Sequence, residues 1–193
     1  MTLPEPSQPR PPVAQTKVLT LGHPVLHQVA QPVALPMASV NDRSLQQLID
    51  QLLATMKSDH GVGIAAPQLG QALRILVVAS RPNLRYPHAP LMDPAVMINP
   101  RLVSASDELE MGWEGCLSVP GVRGRVPRHR VVEVEYSDRY GQPQHQVWEG
   151  FVARIFQHEA DHLEGKVFLD RVTSETDLLS EAAYQTIEIA DLP

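Results

Sequence analysis

Between residues 45 and 56 the apolar positions Leu45, Leu48, Ile49, Leu52, Leu53 and Met56 recur at i, i+3, i+4, i+7, i+8 and i+11, which lines up one face of an amphipathic helix. Asn41 to Ser44 supplies its capping candidates. Upstream, the first packed element begins near Val18, and Gly22-His23-Pro24 marks a turn. Downstream, residues 60–70 are punctuated by Gly61, Gly63, Pro67 and Gly70 and read as a loop. Leu73 to Ala79 is a nearly continuous apolar run rich in β-branched residues, the pattern of a buried strand. Four prolines make residues 81–94 an exposed loop, with short strands expected at 96–99 and 102–104. Val132, Val134 and Tyr136 alternate with Glu133 and Glu135, the period of a half-exposed strand. A turn at 138–141 folds it back on 144–148 as an antiparallel hairpin. A second helix is expected over 150–163, with Gly165 ending it. Short antiparallel strands mixed with separate helices make an α+β fold, not a wound parallel sheet.

Composition narrows the picture. The chain has 193 residues, 43% of them apolar and 20% charged, ordinary values for one globular domain. Five prolines in the first twelve residues predict an extended arm over 1–17, followed by a catalytic domain over 18–172. Residues 173–193 form an acidic tail whose segment from Glu175 carries no basic residue and reads as a last helix or strand. A formal net charge of −6 without a basic stretch argues against binding nucleic acid through its phosphates. No run of eighteen apolar residues offers a membrane span, and the N-terminus has no secretion-signal core.

The candidate chemistry is concentrated in three segments. His158-Glu159-Ala160-Asp161-His162 places two histidines four apart on a helix, so both imidazoles leave one face and reach a single cation, with Glu159 beside the open position. Two surface histidines on a solvated helix would satisfy the same pattern. Phe151, Ile155, Phe156 and Leu163, however, make this helix apolar and buried. Cys116 is the only thiol, in the Gly-flanked loop Glu114-Gly115-Cys116-Leu117-Ser118. A lone cysteine is commonly a small buried hydrophobe. Here it completes a three-ligand set that leaves a fourth position for water, as catalytic mononuclear sites do. Gly61 to Gln68 (GVGIAAPQ) is weak alone; its small residues allow a close backbone approach, and Gln68 adds an amide donor.

Taken together, GVGIAAPQ at 61–68, EGCLS at 114–118 and QHEADHLEG at 157–165 resemble the three signature motifs of the peptide deformylase family, in the family's order. Gly22, Pro24, Leu26, Val119, Pro120 and Arg123 extend the resemblance over roughly residues 18–172. It implies antiparallel sheets packed around a central metal-binding helix. It also implies removal of the N-formyl group from formyl-methionine at the start of new polypeptides, with release of formate. Cys116, His158 and His162 would hold the metal, which makes water nucleophilic near neutral pH, and Glu159 would serve as the acid/base. The oxyanion donors would be the Gln68 amide and the Leu117 backbone N–H. The substrate would lie extended against Gly63 and Gly115, its methionine in a pocket of Val62, Phe151 and Ile155; plain core packing is the other reading of the last two. Arg123 would contact the peptide beyond methionine, unless it is a surface arginine. Glu114 would orient its neighbours, and Arg154 stands where family members often carry an aliphatic residue.

Affinity order alone favours zinc, whereas the resemblance implies one Fe(II) ion, with nickel, cobalt or zinc as substitutes. A thiolate next to ferrous iron makes oxygen sensitivity expected. A zincin-type peptidase shares the HExxH pattern but leaves Cys116 unexplained, and a binding module that has lost catalysis leaves Glu159 and Gln68 unexplained. Formylated initiation belongs to bacteria and organelles, and without a clear transit peptide the expected setting is the bacterial cytoplasm rather than an organelle. Its partners would be formyl-methionyl nascent peptides and, transiently, the ribosome.

Overall fold

The computed structural model describes residues 16–34, 42–82, 86 and 88–187. The Pro-rich arm expected over 1–17 therefore lies, except for its last two residues, outside the described residues. Asp42 caps the first helix, its carboxylate accepting the Leu45 N–H at 2.9 Å. From there α1 runs Arg43–Ser58 and buries Leu45, Leu48, Ile49, Leu52 and Met56. These side chains form one core with alternate residues of β2 (Ile75–Ser80), namely Ile75, Val77 and Ala79. Leu76 and Val78 join a second core with Val152, Ile155 and Phe156. A strand buried on both faces needs apolar residues at every position, which is why this run does not alternate. Each such side chain stabilises the fold by roughly 1.5–3 kcal/mol when fully buried.

Two antiparallel sheets carry the rest. The first has the order β1-β2-β3-β6-β7, with β1 Gly63–Ala65, β3 Met92–Ala105, β6 Val131–Ser137 and β7 Pro143–Glu149. The second has the order β4-β5-β8, with β4 Leu109–Cys116, β5 Val119–His129 and β8 Leu178–Ser180. The second helix, α2, spans Gly150–Leu163 and touches strands of both sheets. It is buried from Val152 through Glu159 and again from Asp161 to Leu163, so its polar residues are enclosed with its apolar ones. Gly165 (φ +70°) ends it in the left-handed region, and a Cβ there would meet the backbone carbon of His27 at 2.7 Å.

Several expectations need correction. The loop expected at 60–70 contains β1 and a 3-10 helix over Ala66–Leu69. The exposed loop expected to reach residue 94 stops earlier, because β3 begins at Met92 and runs unbroken where two short strands were expected. Its prolines are tolerated because both sit where the ladder slips. Pro94 falls in the irregularity between the Ala95 and Met92 pairings, and Pro100 in that between Ile98 and Arg101. Cys116 is not in a loop but ends β4, one residue before a two-residue turn into β5.

Within the second sheet, β4 and β5 had no counterpart among the expected strands, and both are interrupted by glycines. Their role is to let side chains from elsewhere lie on the strands. A Cβ at Gly112 would sit 2.7 Å from the Arg154 guanidinium carbon, and one at Gly124 would sit 2.6 Å from the Phe168 ring. Segment 175–187 of the acidic tail adds β8 beside β5, pairing Arg123 with Leu179, and then the short helix α3 over Glu181–Tyr184.

Candidate active site

α2 presents His158 and His162 one turn apart, and the end of β4 presents Cys116 opposite them. Their ligand atoms all lie within 4.8 Å of one another, with Cys116 Sγ 3.3 Å from His162 Nε2. Around a tetrahedral ion with bonds of roughly 2.0–2.3 Å, neighbouring donors stand about 3.3–3.8 Å apart, so one thiolate and two imidazoles fit a single divalent cation. Burial would raise the Cys116 thiol, but the charge on His162 and hydrogen bonds to both imidazoles hold it well below its ordinary value. His158 Nδ1 meets Glu114 Oε2 at 2.8 Å, which fixes the ring and leaves Nε2 for the ion.

Glu114 is itself locked from behind. It accepts from Arg128 Nε at 2.9 Å and Nη2 at 3.0 Å, and from Arg154 Nη1 at 3.1 Å. Burial alone would raise its carboxyl, but the His158 hydrogen bond and the Arg128 charge keep it far below the usual carboxylate range. Arg128 also donates to Asp161 Oδ2 at 2.6 Å, and Asp161 accepts in turn from Arg171. The unexpected Arg154 has a place here: its guanidinium lies over Gly112 and donates to the carbonyls of Glu110 (2.6 Å) and Val126 (3.0 Å).

Glu159 differs from Glu114 in lacking such partners. Its Oε2 is buried without a hydrogen bond among the described residues. Burial pushes its carboxyl up to about 7, with the charges of His158 and His162 pulling the other way. Gly63 is pressed against it, since a Cβ there would lie 2.7 Å from Glu159 Cγ. Gln68 sits in the 3-10 helix, buried, with its Oε1 accepting the Ala65 N–H at 2.8 Å. That bond orients the amide, so Nε2 points to Ser118 Oγ (3.2 Å) and Cys116 Sγ (3.6 Å).

One cleft is lined by Val62, Gly63, Gln68, Gly115, Cys116, Leu117, Arg123, Phe151, Ile155, His158 and Glu159. Of the expected catalytic, metal-ligating and substrate-binding residues, only His162 is absent from its wall, being fully buried. Arg123 is not a surface arginine; its side chain is about 2% exposed and forks onto Glu181. Sequence reasoning missed Arg128, Ser118 and Tyr86. Arg128 stands among several arginines with no motif to mark it, and its one signal in the sequence would have been that a buried Glu114 needs a cation.

The chain matches the family model described as polypeptide deformylase over residues 15–177. It is 55% identical over 170 residues to peptide deformylase 2 of Nostoc sp., covering 88% of this chain and 93% of that one. The Met-Ala-Ser-bound crystal structure of class I type b peptide deformylase from Acinetobacter baumannii superposes with a TM-score of 0.80 at 45% identity, over 83% of this chain and 99% of that chain. The peptide deformylase of Thermotoga maritima gives 0.72 at 32% identity, over 83% and 99%. With the three signature segments converging on one metal-ligand set, the chain belongs to the peptide deformylase family.

Proposed function

We propose that the chain hydrolyses the N-formyl group from the formyl-methionine of newly made polypeptides, releasing formate. The observation that carries this reading is the convergence of Cys116, His158 and His162 within 4.8 Å, beside a cleft that also holds Glu159, whose Oε2 has no hydrogen bond among the described residues. A divalent cation held by those three residues would act as a Lewis acid and make water nucleophilic near neutral pH.

The chain's own residues supply the rest. A buried carboxyl beside the metal-ligand set is placed to take a proton from the attacking water and give it to the departing amine, the role proposed for Glu159. The Gln68 amide, oriented by Ala65, and the Leu117 N–H donate to the oxygen that becomes negative when the formyl carbon turns tetrahedral. An extended substrate backbone would run along the cleft beside Gly63 and Gly115, whose missing side chains give way to Glu159 and Arg123. Val62, Phe151 and Ile155 form the apolar pocket for methionine, and Arg123 meets the peptide beyond it.

Fe(II) is the proposed resident ion, with nickel, cobalt or zinc as substitutes; a Cys/His donor set accepts all four. The relatives named above are bacterial, which supports a bacterial setting; the cytoplasm and a transient meeting with the ribosome follow only from the proposed substrate. The deciding experiment is an anaerobic assay of formate release from formyl-Met-Ala-Ser, with metal content measured on the same sample. Release of one formate per peptide with the backbone intact is expected. Absence of activity with iron, nickel and cobalt alike would overturn the reading.

A further inference from the structure

Arg123 lies against the cleft wall, close enough to Gly115 that a Cβ there would sit 2.6 Å from its Nη1. A buried guanidinium at that position would present a full positive charge to any peptide passing Gly115. The fold answers that charge from its C-terminal segment. Pairing of β8 with β5 sets Leu179 beside Arg123 and so brings Glu181, the first residue of α3, onto the guanidinium. Glu181 accepts from Nε at 2.7 Å and Nη2 at 3.1 Å, the two-pronged geometry specific to arginine. The Tyr184 ring stands 4.9 Å from the guanidinium carbon, and Nη1 donates to the Tyr86 hydroxyl at 3.1 Å.

We propose that Glu181 is a specificity-determining counterion: by neutralising Arg123 it makes the subsite beyond methionine indifferent to the charge of the incoming peptide. The assignment rests on the deformylase reading, since it presumes a peptide running past Gly115. It gives the acidic tail a task within the site. A processing enzyme that meets many different N-termini needs donors for the peptide backbone there without an electrostatic preference for acidic sequences.

The test compares three C-terminally amidated substrates, formyl-Met-Ala-Ser, formyl-Met-Glu-Ser and formyl-Met-Ala-Glu, with the wild-type holoenzyme and with Glu181→Gln. Wild-type KM ratios between acidic and neutral peptides are expected to stay flat as salt is lowered. In Glu181→Gln the KM for an acidic peptide is expected to fall about two- to fivefold relative to the neutral one, the size of a partly exposed ion pair. That preference should fade at high salt, and kcat ratios should move less than KM ratios. An active Glu181→Gln enzyme with wild-type ratios would overturn the counterion role. So would a wild-type enzyme whose acidic preference grows at low salt, a measurement that does not depend on the variant folding. Failure of the wild type to release formate from any of the three peptides would instead sink the deformylase reading itself.

Discussion

Replacing Arg128 by methionine removes the cation that, among the described residues, joins the buried carboxylates of Glu114 and Asp161. The structure sets the magnitude. Arg128 donates three hydrogen bonds, at 2.9, 3.0 and 2.6 Å, to Glu114 and Asp161, and the three side chains are 4–6% exposed. Charge-assisted bonds are worth about 1.5–3 kcal/mol each, so the gross loss is roughly 4.5–9 kcal/mol. Removing a guanidinium also relieves several kcal/mol of its own desolvation, whereas breaking a buried pair leaves its carboxylates undercompensated, a net cost of about 3–5 kcal/mol. Glu114 keeps Arg154 and His158, and Asp161 keeps Arg171, which puts the expectation near the lower end, about 3 kcal/mol. Urea unfolding of chelator-treated protein should therefore show a lower midpoint with the slope unchanged. Glu114 also orients His158, so metal affinity measured by chelator competition should fall about 10–100-fold. Arg128→Lys should fare little better, because an ammonium lacks the fork that spans both carboxylates. A variant that loses under 1 kcal/mol and binds metal as tightly as the wild type would refute the reasoning.

The remaining predictions are simpler. Gln68→Ala should lower kcat by about 10²–10³-fold, the cost of one oxyanion donor, with metal content unchanged; loss of the metal along with activity would point to a structural role. Gly165→Ala should destabilise by about 2–5 kcal/mol, combining left-handed strain with the contact on His27, and urea midpoints with m-values measure it. The Asp42 carboxyl is held below its ordinary 3.8, first by the Leu45 N–H and then by Ser44. A depressed acid contributes stability that is full above its unfolded value and is lost as pH falls through the folded one. The stability difference between wild type and Asp42→Ala should thus be constant near neutral pH and shrink steadily below about pH 4. A gap that persists at pH 2 would contradict it.

The elements with a clean period were legible without coordinates. The stripe from Leu45 to Met56 and the alternation of Val132, Val134 and Tyr136 each bury one face, and a one-sided burial writes its period into the chain. The candidate metal-ligand set was legible because two of its residues lie four apart on one helix and the third is the sole thiol. Strands β4 and β5 were not legible, since Gly112, Gly115 and Gly124 are small for contacts made with Arg154, Arg123 and Phe168, two of them more than forty residues away in sequence. Glu114 and Glu159 flank the same site and are both buried, yet one is held ionised and the other raised to about 7. That difference lies in the His158 hydrogen bond and the Arg128 guanidinium, which only the folded chain brings to Glu114.

The guanidinium of Arg154 resting on Gly112 ties the histories of two positions forty-two residues apart. While residue 154 is arginine, residue 112 has no freedom to grow, because any side chain would collide with the guanidinium. Once residue 154 becomes aliphatic, the carbonyls of Glu110 and Val126 lose their donor and the space above residue 112 opens. Lineages that keep the arginine and lineages that replace it should therefore differ at both positions together, and a chimera that swaps only one should fold worse than either parent.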